Sequence, residues 1–157
     1  MMEISQMLTN FGVAIVLGAL MGLEREMVGK EAGIRTSIMV AGGAAIFSLI
    51  ALNLPYIITA ETGEVAEVLA RNSGFLTVIA NIVVGIGFLG AGIIIKTEER
   101  VHGLTTAAVI WAVAAVGTLA GIGLLEFAAA SAIIFSGLLY ILRKARVVEK
   151  LNPDNIN

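Results

Sequence analysis

The sequence contains no cysteine, a single histidine and few charges; Asp, Glu, Lys and Arg together make up 14% of its 157 residues. The missing thiols exclude disulfide frameworks, zinc sites with thiolate ligands and thiol catalysis. The one histidine, His102, falls short of the ligand count of a metal site. An average soluble domain carries about 25% charged residues, so this chain lacks the side chains to clothe a soluble globule. A net charge of −2 gives no electrostatic case for nucleic acid. Met1 to Asn10 holds Glu3 and no Lys or Arg, whereas a cleavable signal peptide starts basic. The first apolar run is therefore expected to act as its own insertion signal. No Ser–His–Asp set, paired intramembrane carboxylates, phosphate loop or HExxH motif is present. The expectation is a protein that is not an enzyme, with no catalytic residues, no cofactor and no assignable metal ligands.

What the chain does have is apolar length. Hydrophobic residues make up 58% of it, and the mean hydropathy is +0.96. A helix crossing about 30 Å of hydrocarbon needs roughly 17 to 25 residues. Uncharged runs of that length predict spans at 4–23, 36–55 and 73–95. The forty residues from Gly103 to Leu142 carry one charge, Glu126. As one helix they would reach about 60 Å, twice the hydrocarbon thickness. Gly121, Gly123 and Glu126 near the middle suggest a break, giving spans at 104–120 and 125–142 joined as a hairpin. The runs are too long and too little alternating for β-barrel strands. The predicted fold is an all-α integral membrane protein, a bundle of about five transmembrane helices followed by a short polar tail, 143–157.

Five spans divide the basic residues unevenly. Arg25, Lys30, Arg35, Lys96, Arg100, Arg143, Lys144, Arg146 and Lys150 fall on one side, and only Arg71 on the other. Positive residues stay on the cytoplasmic side, so the N-terminus is expected outside and the C-terminus in the cytoplasm.

Lipid tails are as apolar as leucine, so membrane helices associate where small residues let backbones approach. Gly18 and Gly22 in span one, and Gly117 and Gly121 in span four, have GxxxG spacing. Span three carries Gly85 and Gly92 on one face and Gly87 and Gly90 on roughly the opposite face. Two small faces predict that span three sits at the centre of the bundle. The run Gly85-Ile-Gly-Phe-Leu-Gly90 also matches a dinucleotide-binding GxGxxG. That motif needs a βαβ setting, and an uncharged membrane-length run does not provide one.

Three polar groups stand out. The first is Glu24-Arg25-Glu26 with Arg35 and Thr36, where Glu24 and Arg35 are placed to pair across a short loop. The alternative is a ligand-facing role for the same charges. The second is Lys96, Arg100, His102, Thr105 and Thr106, where the threonines are expected to cap span four, with an anion site as the alternative. The third is Asn81 in the outer half of span three. Interhelical hydrogen bonding is its default role and a place on a solute path the alternative. Glu61, Glu64, Glu67 and Glu126 are expected on the outer side, too few in any one place for a magnesium site. Trp111 reads as a packing residue of span four.

These segments, taken together, resemble one family. Gly18-Ala-Leu-Met-Gly-Leu-Glu-Arg-Glu26, Ala32-Gly-Ile-Arg-Thr36, Gly85-Ile-Gly-Phe-Leu-Gly-Ala-Gly-Ile-Ile-Ile-Lys96 and His102-Gly-Leu-Thr-Thr-Ala-Ala108 look like the signature segments of the MgtC/SapB family, in the same order and spacing. The resemblance spans about Ile4 to Leu142. It implies a multi-pass inner-membrane protein linked to magnesium homeostasis and low-magnesium adaptation, acting as a regulatory or accessory protein through helix contacts. The partners expected from the residues are the lipid bilayer and further copies of the chain, and the resemblance adds a membrane ATPase or transporter. The rival reading is a small transporter or channel for magnesium, protons or a small anion. The site residues carried over are Glu24, Arg25, Arg35, Thr36, Lys96, Thr105 and Thr106. Family members often have Arg where His102 stands, which weakens a charge role there or makes it pH-dependent. Many members also have a soluble C-terminal domain that these 157 residues do not contain, so its functions are not carried over.

Overall fold

A computed structural model describes residues 2–59, 74–98 and 100–145. The glutamates and Arg71 of the 61–71 loop, and residues 146–157 of the tail, lie outside the described residues. The long uncharged runs form helices α1 (Ile4–Met27), α2 (Ile34–Thr59), α3 (Gly74–Ile93), α4 (Leu104–Gly121) and α5 (Leu125–Lys144). All five are long and apolar enough to cross a membrane. Two short strands, β1 (Ile95–Lys96) and β2 (Val101–His102), pair antiparallel between α3 and α4. The charged 96–102 loop is thus a small ribbon, with His102 opposite Ile95.

Glycine ends two of these helices. After α1, the N–H of Lys30 bonds the Arg25 carbonyl and that of Gly29 the Glu26 carbonyl, with Gly29 at φ 64°. After α4, Leu124 N–H reaches the Leu119 carbonyl and Gly123 N–H that of Ala120, with Gly123 at φ 92°. Both are Schellman motifs, which need a left-handed residue just past the helix. The second of them divides the forty-residue uncharged run.

The core is α1, α2 and α4. Along α2, Ser37, Ala41, Ala45 and Ser48 present a ridge of small buried side chains. A Cβ placed on Gly18 would lie 2.8 Å from Ala41 Cβ, and one on Gly22 would lie 2.7 Å from Ile34 Cα. A Cβ on Gly117 would collide with the backbone of Ala41, and one on Gly121 would lie 2.8 Å from Ala45 Cα. Ala41 is therefore approached by glycines from two helices.

The centre of the bundle is not span three. Over eighteen residues, 56% of α4 is buried against 6% of α3, and Val113, Val116 and Ile110 of α4 are almost wholly enclosed. α3 packs against α2 and α4 at the rim. Of Gly85, Gly87, Gly90 and Gly92, only Gly90 meets another helix, at Ala107; Cβ atoms on the other three would meet nothing within 4 Å. Two small faces measure a capacity for packing, but lipid satisfies an apolar face as well as protein does.

Candidate functional site

The buried stripe of α1 runs Asn10, Ala14, Leu17, Gly18, Met21, Gly22, Arg25, the spacing of one helical face. It is apolar in the middle and polar at both ends. At its C-terminal end, Arg25 is carried inward and is only 5% exposed. One guanidinium nitrogen donates to the Thr106 hydroxyl at 2.5 Å. Thr106 is itself buried in the first turn of α4 and donates to the Glu31 carboxylate at 3.5 Å. A cation, a hydroxyl and a carboxylate thus form a chain linking α1, the α1–α2 loop and α4. Arg25 Nε and Glu24 Oε2 are buried with no hydrogen-bond partner among the described residues.

Two further contacts close the same end. Glu24 Oε1 takes an ion pair from Arg143 of α5 at 3.2 Å. Glu26 Oε2 accepts from the backbone N–H of Ile34, the first residue of α2, at 2.9 Å. A carboxylate there suits the partial positive charge of a helix N-terminus. Gly33 makes the contact possible, because a Cβ at that position would overlap the Glu26 carboxylate.

The structure brings together Arg25 and Thr106 from the two predicted charged groups. It does not bring in the others. Arg35 is exposed and makes no pair with Glu24, whose partner is Arg143. Lys96 is exposed on β1, and Thr105 is exposed on α4. Neither threonine caps α4. The N-cap is Gly103, at φ 85°, and no side chain bonds the free N–H groups there. Thr106 is turned toward Arg25 instead. Thr36 lines an apolar cleft of about 640 Å³ between α2 and α3, with Asn81 on the opposite wall. Trp111 is half exposed and lines a smaller cleft, about 260 Å³, between α3 and α4.

Some buried polar groups were not singled out from sequence. Asn10 donates to the Gly121 carbonyl at 3.3 Å. Asn53 donates to the Leu49 carbonyl and accepts from the backbone N–H of Met2. Ser48 bonds the Ala44 carbonyl. Glu31, exposed in the α1–α2 loop, is a further residue that the sequence does not single out. The signal for Asn10 and Arg25 was present, since both continue the phase of Gly18 and Gly22.

A family model for the MgtC family covers residues 11–148. The chain belongs to the MgtC family. It is 40% identical to Protein MgtC of Brucella abortus (strain 2308) over 130 residues, which is 83% of this chain and 48% of that protein. It is 39% identical to Protein MgtC of Salmonella typhimurium (strain LT2) over 136 residues, 87% of this chain and 52% of that protein. The chain spans about half the length of these MgtC relatives. No solved structure matches it. Family membership and five helices long and apolar enough to cross a membrane point to a multi-pass membrane protein.

Proposed function

We propose that this chain is a regulatory or accessory protein of magnesium homeostasis in the bacterial inner membrane, acting through helix–helix contacts. The observation that carries the reading is the closed centre of the bundle. Gly18, Gly22, Gly117 and Gly121 bring α1 and α4 onto the α2 ridge at backbone distance. Among the described residues, the charged side chains of the five helices lie only in their first or last turns. A path for a magnesium ion, which sheds its water reluctantly and demands octahedral oxygen ligands, would run between those helices. The likeness to MgtC proteins supports the link to magnesium.

The orientation that goes with this reading has the N-terminus outside and the Arg25–Thr106 end in the cytoplasm. It is supported by the nine basic residues that five spans assign to one side. A cytoplasmic charged end, held in one shape by the Arg25 network, suits contact with a membrane ATPase or transporter.

The test has two arms. A strain lacking the gene should grow poorly at limiting magnesium and recover when the chain is supplied. Proteoliposomes of the purified chain should carry no magnesium, proton or small-anion flux. Growth indifferent to the gene, or a flux that falls in Arg35→Ala, would overturn the reading.

A further inference from the structure

α3 leaves most of its circumference outside the bundle, and that outer side holds a polar group. Asn81 is exposed at the wall of the α2–α3 cleft, and its carboxamide forms no hydrogen bond with any described residue. It is the eighth of twenty residues in α3, within about 4 Å of the helix midpoint at 1.5 Å per residue. In a membrane-spanning helix that depth is hydrocarbon, where neither water nor a lipid headgroup can satisfy an amide.

We infer that Asn81 lies at the centre of an interface between two copies of this chain, with the carboxamides of the two α3 helices bonded to each other. This extends the helix-contact reading above by naming the surface and its occupant. An acyl chain filling the cleft offers no donor or acceptor. A second copy related by a two-fold axis along the membrane normal sets each residue against its own counterpart at the same depth. A carboxamide carries both donors and acceptor and so is its own complement. The neighbouring surface permits the approach. Gly85 and Gly92 lie within about 40° of Asn81 around the helix. A Cβ on either would meet nothing of its own chain within 4 Å. Two backbones can therefore close to the distance small residues allow. Between them, Phe88 is 85% exposed, a large ring with no cover from its own bundle.

The absence of native cysteine makes the test direct. Val84→Cys on the outer side of α3 and Ile134→Cys on α5, both exposed positions, are expressed in the full chain and oxidised in intact membranes. A disulfide-linked dimer is expected from Val84→Cys and not from Ile134→Cys. Dimer dissociation is then followed by energy transfer between labelled copies in lipid vesicles. Asn81→Leu should weaken the dimer about eightfold, as expected for two symmetry-related bonds of average interhelical strength. Asn81→Gln should keep most of the affinity. Because Asn81 bonds no partner among the described residues of its own chain, the melting of the Asn81→Leu monomer should match wild type, which separates lost pairing from lost folding. A dimer linked only through Ile134→Cys, a dimer indifferent to Asn81→Leu, or a monomeric wild type with lipid retained in the cleft would each overturn the inference. Only self-association is read, so the inference fails separately from the magnesium reading.

Discussion

Arg25 and Thr106 stand 81 residues apart in the chain and meet inside the protein, guanidinium to hydroxyl. The contact joins the last turn of α1 to the first turn of α4, and Glu31 extends it into the α1–α2 loop. A buried cation needs its donors satisfied, since low dielectric magnifies the cost of an unmade bond.

Thr106→Val removes the acceptor and leaves the guanidinium in place. The expected loss is about 1–3 kcal/mol of stability, the range for a buried donor left without a partner. Thr106→Ser keeps the hydroxyl and should melt near wild type. Arg25→Met combined with Thr106→Val should cost less than the sum of the single changes, because the orphaned charge is gone. Thermal melts of the four proteins in mild detergent decide this, and additivity would show that the pair does not act as a unit.

The glycines divide into those that touch and those that do not. Gly117→Ala puts a methyl into the Ala41 backbone, whereas Gly12→Ala, on the same bundle, meets nothing within 4 Å. Overpacking at the first should cost about 1–3 kcal/mol. The second should be neutral or gain up to about 1 kcal/mol from helix propensity. The same melts read both, and equal effects would mean that α4 does not rest on α2 at Ala41.

The five-helix plan was legible because hydrocarbon thickness and helical rise leave little choice of span length. The hairpin break was legible too, since Gly123 marks the end of α4. The ridge that receives the two GxxxG helices is also written in the sequence, though not in glycine. Ser37, Ala41 and Ala45 recur every fourth residue, the same small-residue signal without glycine. Arg25 turns inward, rather than Glu24 or Glu26, because it continues the phase of Gly18 and Gly22. The partner Thr106 was not legible, since nothing local to either residue names the other. The rim position of α3 is not legible, because small residues do not distinguish a protein neighbour from lipid.

The Glu24–Arg143 pair is a different kind of contact from Arg25–Thr106. Arg143 is 37% exposed, and the pair sits at the rim of the bundle end. Water and salt screen such charges, and exposed pairs are worth at most about 1 kcal/mol. Arg143→Ala should therefore lower stability by less than Thr106→Val does, and the difference from wild type should shrink when salt is raised. A loss that persists in high salt would show that Arg143 also supports the buried Glu24 oxygen.

Gly103 joins the β1–β2 ribbon to α4 under two constraints. Its φ of 85° is in the left-handed region, and a Cβ there would collide with the Ile93 carbonyl. Gly29 shares the first constraint, at φ 64°, but has open space around it. Asparagine tolerates left-handed φ better than most residues, so Gly29→Asn should be nearly silent. Gly103→Ala combines strain of about 1–2 kcal/mol with a displaced backbone at the end of α3. It should lower the melting temperature well beyond the Gly29 variant or prevent the protein from accumulating in membranes. Because Gly103 accepts the first α4 bond from Ala107, the damage should also reach Thr106, one residue before it. Gly103→Ala should then blunt the effect of Thr106→Val, and full additivity of the two would show that the ribbon and the Arg25 network are independent.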